Sequence, residues 1–157
     1  VIQATGAALA AAQGRPGLEL SRALCLLSAS ERGFYEEDLA VTLKKHFDRV
    51  DFVDVANNSV QYDKASHLND SEHTPLSALL RVMGDAEAAG EGLLVFCGTG
   101  QVRTANVLAL WAHHSVGLTL PEAVRDVSAA GKVMGASRRP TLHGLLGLLF
   151  GGHDAWA

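Results

Sequence analysis

Gly92-Leu93-Leu94-Val95-Phe96-Cys97-Gly98-Thr99-Gly100-Gln101-Val102-Arg103-Thr104 reads as a buried strand, a glycine-containing loop and the start of a helix. Leu93 to Phe96 is a short apolar run after a glycine, which fits an inner strand of a parallel sheet. Cys97 falls where the strand stops. Gly98 and Gly100 give the loop backbone freedom that other residues lack. From Thr104 the apolar positions Val107, Leu108 and Trp111 follow helical spacing.

A tight loop feeding a helix N-terminus aims successive backbone N–H groups at one point, and the helix dipole adds positive potential there. The stretch Gly98, Thr99, Gly100, Gln101, Val102 and Arg103 is therefore a candidate phosphate cradle. Arg103 contributes a planar fork suited to two phosphate oxygens. Cys97, at the base of the cradle, feels both influences, which favours its thiolate. A thiolate beneath a bound phosphate is placed for in-line attack on phosphorus. The Cys-to-Arg spacing alone is a weak signal; the strand before it and the helix after it strengthen it. A buried structural Cys97 with a surface Arg103 remains the plainer alternative at this point.

Outward from the loop, the chain suits one domain: 157 residues, 48% hydrophobic and 19% charged. Its formal net charge of −4 argues against nucleic-acid and membrane-surface partners. Two distant cysteines make no disulfide framework, so a reducing cytoplasm is the expected setting. No apolar run has membrane-crossing length. The expected organisation is a loosely defined N-terminal segment at 1–20, a domain at 21–150 and a tail at 151–157. Ala7 to Ala12 suggests a helical turn or two before Gly14, Pro16 and Gly17. Arg22 to Ala29 reads as a strand containing Cys25, either a small buried hydrophobe or a second thiol able to pair with an oxidised Cys97. Glu36 to Phe47 has the spacing of an amphipathic helix. Val50 to Ala56 is strand-like, with Asp51 and Asp54 read as exposed acids rather than a working pair. Asn57 to Thr74 is polar and has no trusted metal-ligand spacing, so neither a metal nor another cofactor is expected. Thr74-Pro75 marks the start of a helix reaching Ala89, and Thr119-Leu120-Pro121-Glu122 is a capping box opening another. Ser137-Arg138-Arg139-Pro140 reads as a solvated basic turn, with contact to the substrate's phosphate surroundings as the alternative. A last helix carries Leu142, Leu145, Leu146 and Leu149, and the tail offers Trp156 as an anchor. The whole reads as a single α/β domain with a central, mostly parallel sheet flanked by helices on both faces.

Cys97 to Thr104 resembles the signature loop Cys-x-x-Gly-x-x-Arg-Ser/Thr of the protein tyrosine phosphatases, nearest to their small dual-specificity branch. Leu118-Thr119-Leu120-Pro121-Glu122-Ala123 resembles the Leu-Ser-Leu-x-x-Ala helix start of that branch. Asn69-Asp70 followed by Leu76-Ser77 resembles its general-acid loop and the helix after it. The likeness runs from about Asn69 to Phe150. It implies a cysteine-dependent phosphatase acting on phosphorylated proteins without cofactor, through a cysteinyl-phosphate intermediate. Cys97 would be the nucleophile, Arg103 the phosphate clamp, and Thr104 the hydroxyl that helps the intermediate break down. The chemistry needs an acid for the leaving oxygen. Asp63, Asp70 and Glu72 are available, and the resemblance selects Asp70.

Four departures qualify the likeness. Phe96 stands where the family usually has His, so Cys97 is expected to be less acidic than in typical members. Val102 replaces a usual Ser or Gly, and Thr99 a usual small residue, although its hydroxyl can bond within the loop. Arg139-Pro140-Thr141 occupies the place of a supporting Pro-Asn pair. An active but slow enzyme is expected. The alternatives are a phosphoprotein-binding pseudophosphatase, an enzyme on non-protein phosphates (disfavoured by the absence of lysine in the loop), and a rhodanese-type sulfur transferase.

Overall fold

The structure, a computed structural model, describes residues 20–56, 59–61 and 74–150. In chain order the elements are β1 (Leu20–Cys25), α1 (Ala29–Arg32), α2 (Leu39–Lys44), β2 (Arg49–Asp54), β3 (Ser59–Gln61), α3 (Pro75–Ala89), β4 (Gly92–Phe96), α4 (Arg103–Trp111), α5 (Leu120–Val133) and α6 (Leu142–Phe150). A π-helical turn, Ala112–Val116, prolongs α4. The strands form one sheet in the order β3-β2-β1-β4. β1 lies parallel to β2, with Cys25 beside Phe52, and parallel to β4, with Cys25 beside Phe96. β3 runs antiparallel to β2.

Helices cover both faces, so the central strands are apolar on both. Ala23, Cys25 and Leu27 pack with Phe52, Leu94 and Phe96 against Leu39, Leu43 and Phe47 of the α2 side. Leu24 and Leu26 pack on the opposite face with Leu79 and Val82 of α3, Val107 and Leu110 of α4, and Leu148 of α6. This double burial explains why Ala23 to Leu27 reads as an unbroken apolar run and not as an alternation. Each fully buried leucine there contributes about 1.5–3 kcal/mol by leaving water. A third cluster, Ala109, Ala123 and Leu145, joins α4, α5 and α6.

The helix starts follow local chemistry. Thr74 caps α3, accepting from Ser77 N–H at 3.2 Å, with Pro75 in the first turn. Thr119 and Glu122 form a reciprocal capping box at α5. Three expectations need correction. The helix expected over 36–47 is shorter, because the Asp38 carboxylate takes the Ala40 N–H at 2.9 Å and sets the start at Leu39. Asp51 and Asp54 are buried, not exposed, since β2 lies between β1 and β3 under helices on both sides. Among the described residues β4 closes one end of the sheet instead of lying inside it, and Leu93 and Val95 are only half-buried. Ala7–Ala12 and Trp156 lie outside the described residues. Among those described, no helix is long and apolar enough to cross a membrane, and no cluster of candidate metal ligands occurs.

Candidate active site

β4 ends in the protein core and delivers Cys97 with only 6% of its surface exposed. The loop then turns through Gly100, whose φ of 74° lies in the left-handed region that glycine adopts without strain. Gly98 needs no such conformation. The turn brings the Gly100 N–H to the Cys97 Sγ at 3.3 Å, and the first turn of α4 brings the Thr104 hydroxyl to the same sulfur at 3.1 Å. Burial pushes the Cys97 thiol up. The Thr104 hydroxyl, the Thr104 and Gly100 N–H groups and the nearby Arg103 charge outweigh it, so the net displacement is downward from the ordinary 9.0.

Arg103 is the first residue of α4. Its Nη1 and Nη2 donate to the two oxygens of Glu31, each at 2.7 Å, and Nη1 also donates to the Leu26 carbonyl at 3.3 Å. Glu31 is itself aimed by a capping box on the single turn of α1. Its Oε1 accepts from Ser28 N–H at 3.2 Å, and Ser28 Oγ accepts from Glu31 N–H at 3.1 Å. The guanidinium of Arg103 holds the Glu31 carboxyl down to about 2. Glu31 is therefore ionised at neutral pH and has no proton to give a leaving group. Tyr35, half-buried on the α1–α2 connection, lies near the same groups. Burial, then the neighbouring Cys25, Glu31 and Cys97, push its phenol up, so it stays protonated.

The remaining loop residues fill out the rim. Thr99 Oγ1 accepts from Gln101 N–H at 3.4 Å, a bond within the loop. Val102 occupies the N-cap position of α4 without a side-chain cap and is 41% exposed, so its bulk points away from the core. Phe96 is buried among the α2-side apolar residues and supplies no polar support beneath the loop. A groove of about 570 Å³ adjoins the loop, walled by Leu108 of α4, Val127 and Met134 of the α5 side, and Arg138.

The structure thus brings together Cys97, Gly98 to Val102, Arg103 and Thr104. Asp70, Asp63 and Glu72 lie outside the described residues. Cys25 packs in the α2-side core while Cys97 belongs to the opposite one, and burial raises the Cys25 thiol to about 11. Both are free thiols. Sequence reasoning missed Glu31, although Ser28-x-x-Glu31 is a capping-box pattern visible in the sequence. It also missed the contacts of Arg138 and Arg139 with the loop. Ser137 and Arg139 are exposed, as in a solvated turn, yet Arg138 Nη1 bonds the Gly100 carbonyl and Arg139 N–H donates to the Gln101 carbonyl at 2.7 Å.

A mostly parallel sheet under helices, with a Cys-to-Arg loop between the carboxyl end of β4 and the N-terminus of α4, has the architecture of a protein-tyrosine-phosphatase-like fold. The solved structure of Tk-PTP in the active form is similar: TM-score 0.55 and 19% sequence identity, covering 87% of this chain and 80% of that one. No family model and no curated protein matches the sequence.

Proposed function

We propose that this chain is a cysteine-dependent protein phosphatase that hydrolyses phosphotyrosine, phosphoserine or phosphothreonine through a cysteinyl-phosphate intermediate. The observation that carries this reading is the Cys97 sulfur, held by the Thr104 hydroxyl and the Gly100 N–H beside a guanidinium locked by Glu31. Arg103 and the N-terminal N–H groups of α4 bind the phosphate oxygens and stabilise charge in the transition state. The Cys97 thiolate attacks phosphorus in line, forming the S–P bond as the P–O bond to the side chain breaks. Asp70, the acid selected by the loop resemblance, protonates the departing oxygen. Water then attacks the cysteinyl-phosphate, with Asp70 accepting its proton and Thr104 assisting release of the thiolate. The two free cysteines fit a reducing, cytoplasmic setting.

Hydrolysis of an aryl phosphate without added metal, from pH 5 to 8, tests the reading. Loss of turnover in Cys97→Ser and a fall in Asp70→Asn are expected. Loss with Cys97 but indifference to Asp70 moves the acid to Asp63 or Glu72, or means that the aryl leaving group needs no acid. The buried, apolar Phe96 favours one competing reading, a phosphoprotein-binding module. Phosphopeptide binding by a well-folded wild type without turnover would establish that module and overturn the enzyme.

A further inference from the structure

We propose that Ser137–Pro140 is a strap across the phosphate loop, with Arg138 and Arg139 as positioning residues for oxyanion capture. The role in phosphate binding rests on the phosphatase reading; the hold on the loop does not. An anion nest works only if its peptide carbonyls face outward, and outward carbonyls need partners. The strap provides them at two successive peptides. Arg138 Nη1 bonds the Gly100 carbonyl, and Arg139 N–H donates to the Gln101 carbonyl at 2.7 Å. Arg139 Nη2 adds a bond to Gln101 Oε1 at 2.5 Å. In a trans peptide the C=O and the following N–H point in opposite directions. Fixing the Gly100 carbonyl toward the strap turns the Gln101 N–H away from it. Fixing the Gln101 carbonyl does the same for the Val102 N–H. The Gly100 residue is then held at both ends, its carbonyl by Arg138 and its N–H by the Cys97 sulfur at 3.3 Å.

Two glycines from distant elements make room for the Arg138 side chain. A Cβ at Gly131, inside α5, would stand 2.5 Å from Arg138 Cγ and 2.9 Å from its Cβ. A Cβ at Gly100 would collide with the Arg138 guanidinium. A glycine inside a helix costs about 1 kcal/mol relative to alanine, and the passage of Arg138 accounts for Gly131. The chain also leaves α5 in a way that aims the strap: Ala136 N–H donates to the Gly131 carbonyl at 2.8 Å after Gly135, whose φ is 72°. A turn with no hold on the loop requires none of this fitting.

The test compares wild type with Arg138→Ala, Arg138→Lys, Arg139→Ala and Gly131→Ala, which displaces the strap without removing charge. The first readout is the rate of Cys97 alkylation by iodoacetamide against pH, which needs no turnover. The second is protection of Cys97 by inorganic phosphate. A charge-assisted bond of the Arg138 type is worth roughly a tenfold change in affinity, so Arg138→Ala is expected to weaken phosphate protection about that much. Arg138→Lys should be intermediate, and Gly131→Ala should shift in the same direction as Arg138→Ala. Arg139→Ala, which keeps its backbone bond, should change least. The alkylation profile should move to higher pH as the Gly100 N–H loosens from the sulfur. Wild-type phosphate protection and an unmoved profile in both Arg138→Ala and Gly131→Ala would overturn the strap. Should Arg138→Ala fail to fold, Gly131→Ala and Arg138→Lys decide by the same criteria. Should wild type bind no phosphate, the phosphatase reading fails while the alkylation profile still decides whether the strap holds the loop.

Discussion

β1 and β4 lie side by side, and an arginine–glutamate pair closes each end. At the amino ends, Arg22 Nε meets Glu91 Oε2 at 2.6 Å, and Ser21 Oγ donates to the same oxygen at 2.7 Å. At the carboxyl ends, Arg103 grips Glu31 through both Nη groups at 2.7 Å each. The first arginine is spent on the fold: it is buried and ties the start of β1 to the residue before β4. The second stands beside a thiol and is only partly committed. A guanidinium has five N–H donors. Glu31 and the Leu26 carbonyl engage Nη1 twice and Nη2 once, and among the described residues nothing engages Nε. The same ion pair therefore serves register at one end and aim at the other. What separates them is the donor capacity left over and what lies next to it.

Substitutions can break this contrast, the largest effect first. Arg103→Lys keeps the charge but loses the fork, and removing a transition-state donor of this kind typically costs about 10²–10³ in kcat. Steady-state kinetics on an aryl phosphate would show it; activity within a few-fold of wild type would mean the fork aims nothing. The two cysteines sharpen the same point, because both lie at the carboxyl end. Cys25 is held at about 11 by burial and Cys97 sits below 9.0, so at neutral pH the thiolate populations differ by more than about a hundredfold. Iodoacetamide should label Cys97 and spare Cys25, read by peptide mass analysis. Equal labelling would contradict the assignment of the two thiols to different environments.

Glu31→Gln comes next. The amide still accepts one bond from Arg103 but loses the second, and kcat/KM is expected to fall about tenfold through misaimed donors. Its pH signature has a definite sign. The folded carboxyl sits at about 2 against an ordinary 4.5. The pair therefore contributes stability above pH 4.5 that is lost as pH falls toward 2. Melting curves should show wild type losing part of its stability across that window, and Glu31→Gln losing less. Across pH 5 to 8 Glu31 does not titrate, so any acid limb of activity there belongs to a group other than Glu31. A Glu31→Gln variant with a displaced acid limb and an unchanged rate would reverse that assignment.

What the sequence disclosed is what local chemistry controls. The strand, glycine turn and helix around Cys97 are contiguous, and the Thr74-Pro75 and Thr119-Glu122 caps close within four residues. The partnerships that set the site are remote. Glu31 and Arg103 are 72 positions apart, and Arg138 and Gly100 are 38 apart. Nothing in either segment names the other until the sheet brings them together. Asp51 and Asp54 read as exposed acids at a strand end for a related reason: nothing local shows that β2 lies between two strands with helices on both sides, which buries them. Glu31 is the instructive omission. Its capping box is local and legible, but it opens a helix of only four residues with no apolar face to draw notice.

The smallest effect belongs to the other end of the strands. Arg22→Met keeps the length of the side chain and releases Glu91 to water. The Arg22 guanidinium, then the Ser21 hydroxyl, hold the Glu91 carboxyl below its ordinary 4.5, yet it lies at the protein surface, where solvent weakens the pair. The expected result is a melting temperature lower by a few degrees with kcat/KM within about twofold of wild type, since the N-terminal start of β4 moves without disturbing Cys97 at its far end. A loss of activity out of proportion to the loss of stability would show that β4 transmits its register to the loop. The two pairs would then be one device acting along the strand, and Arg22 would belong with Glu31 among the residues that aim the site.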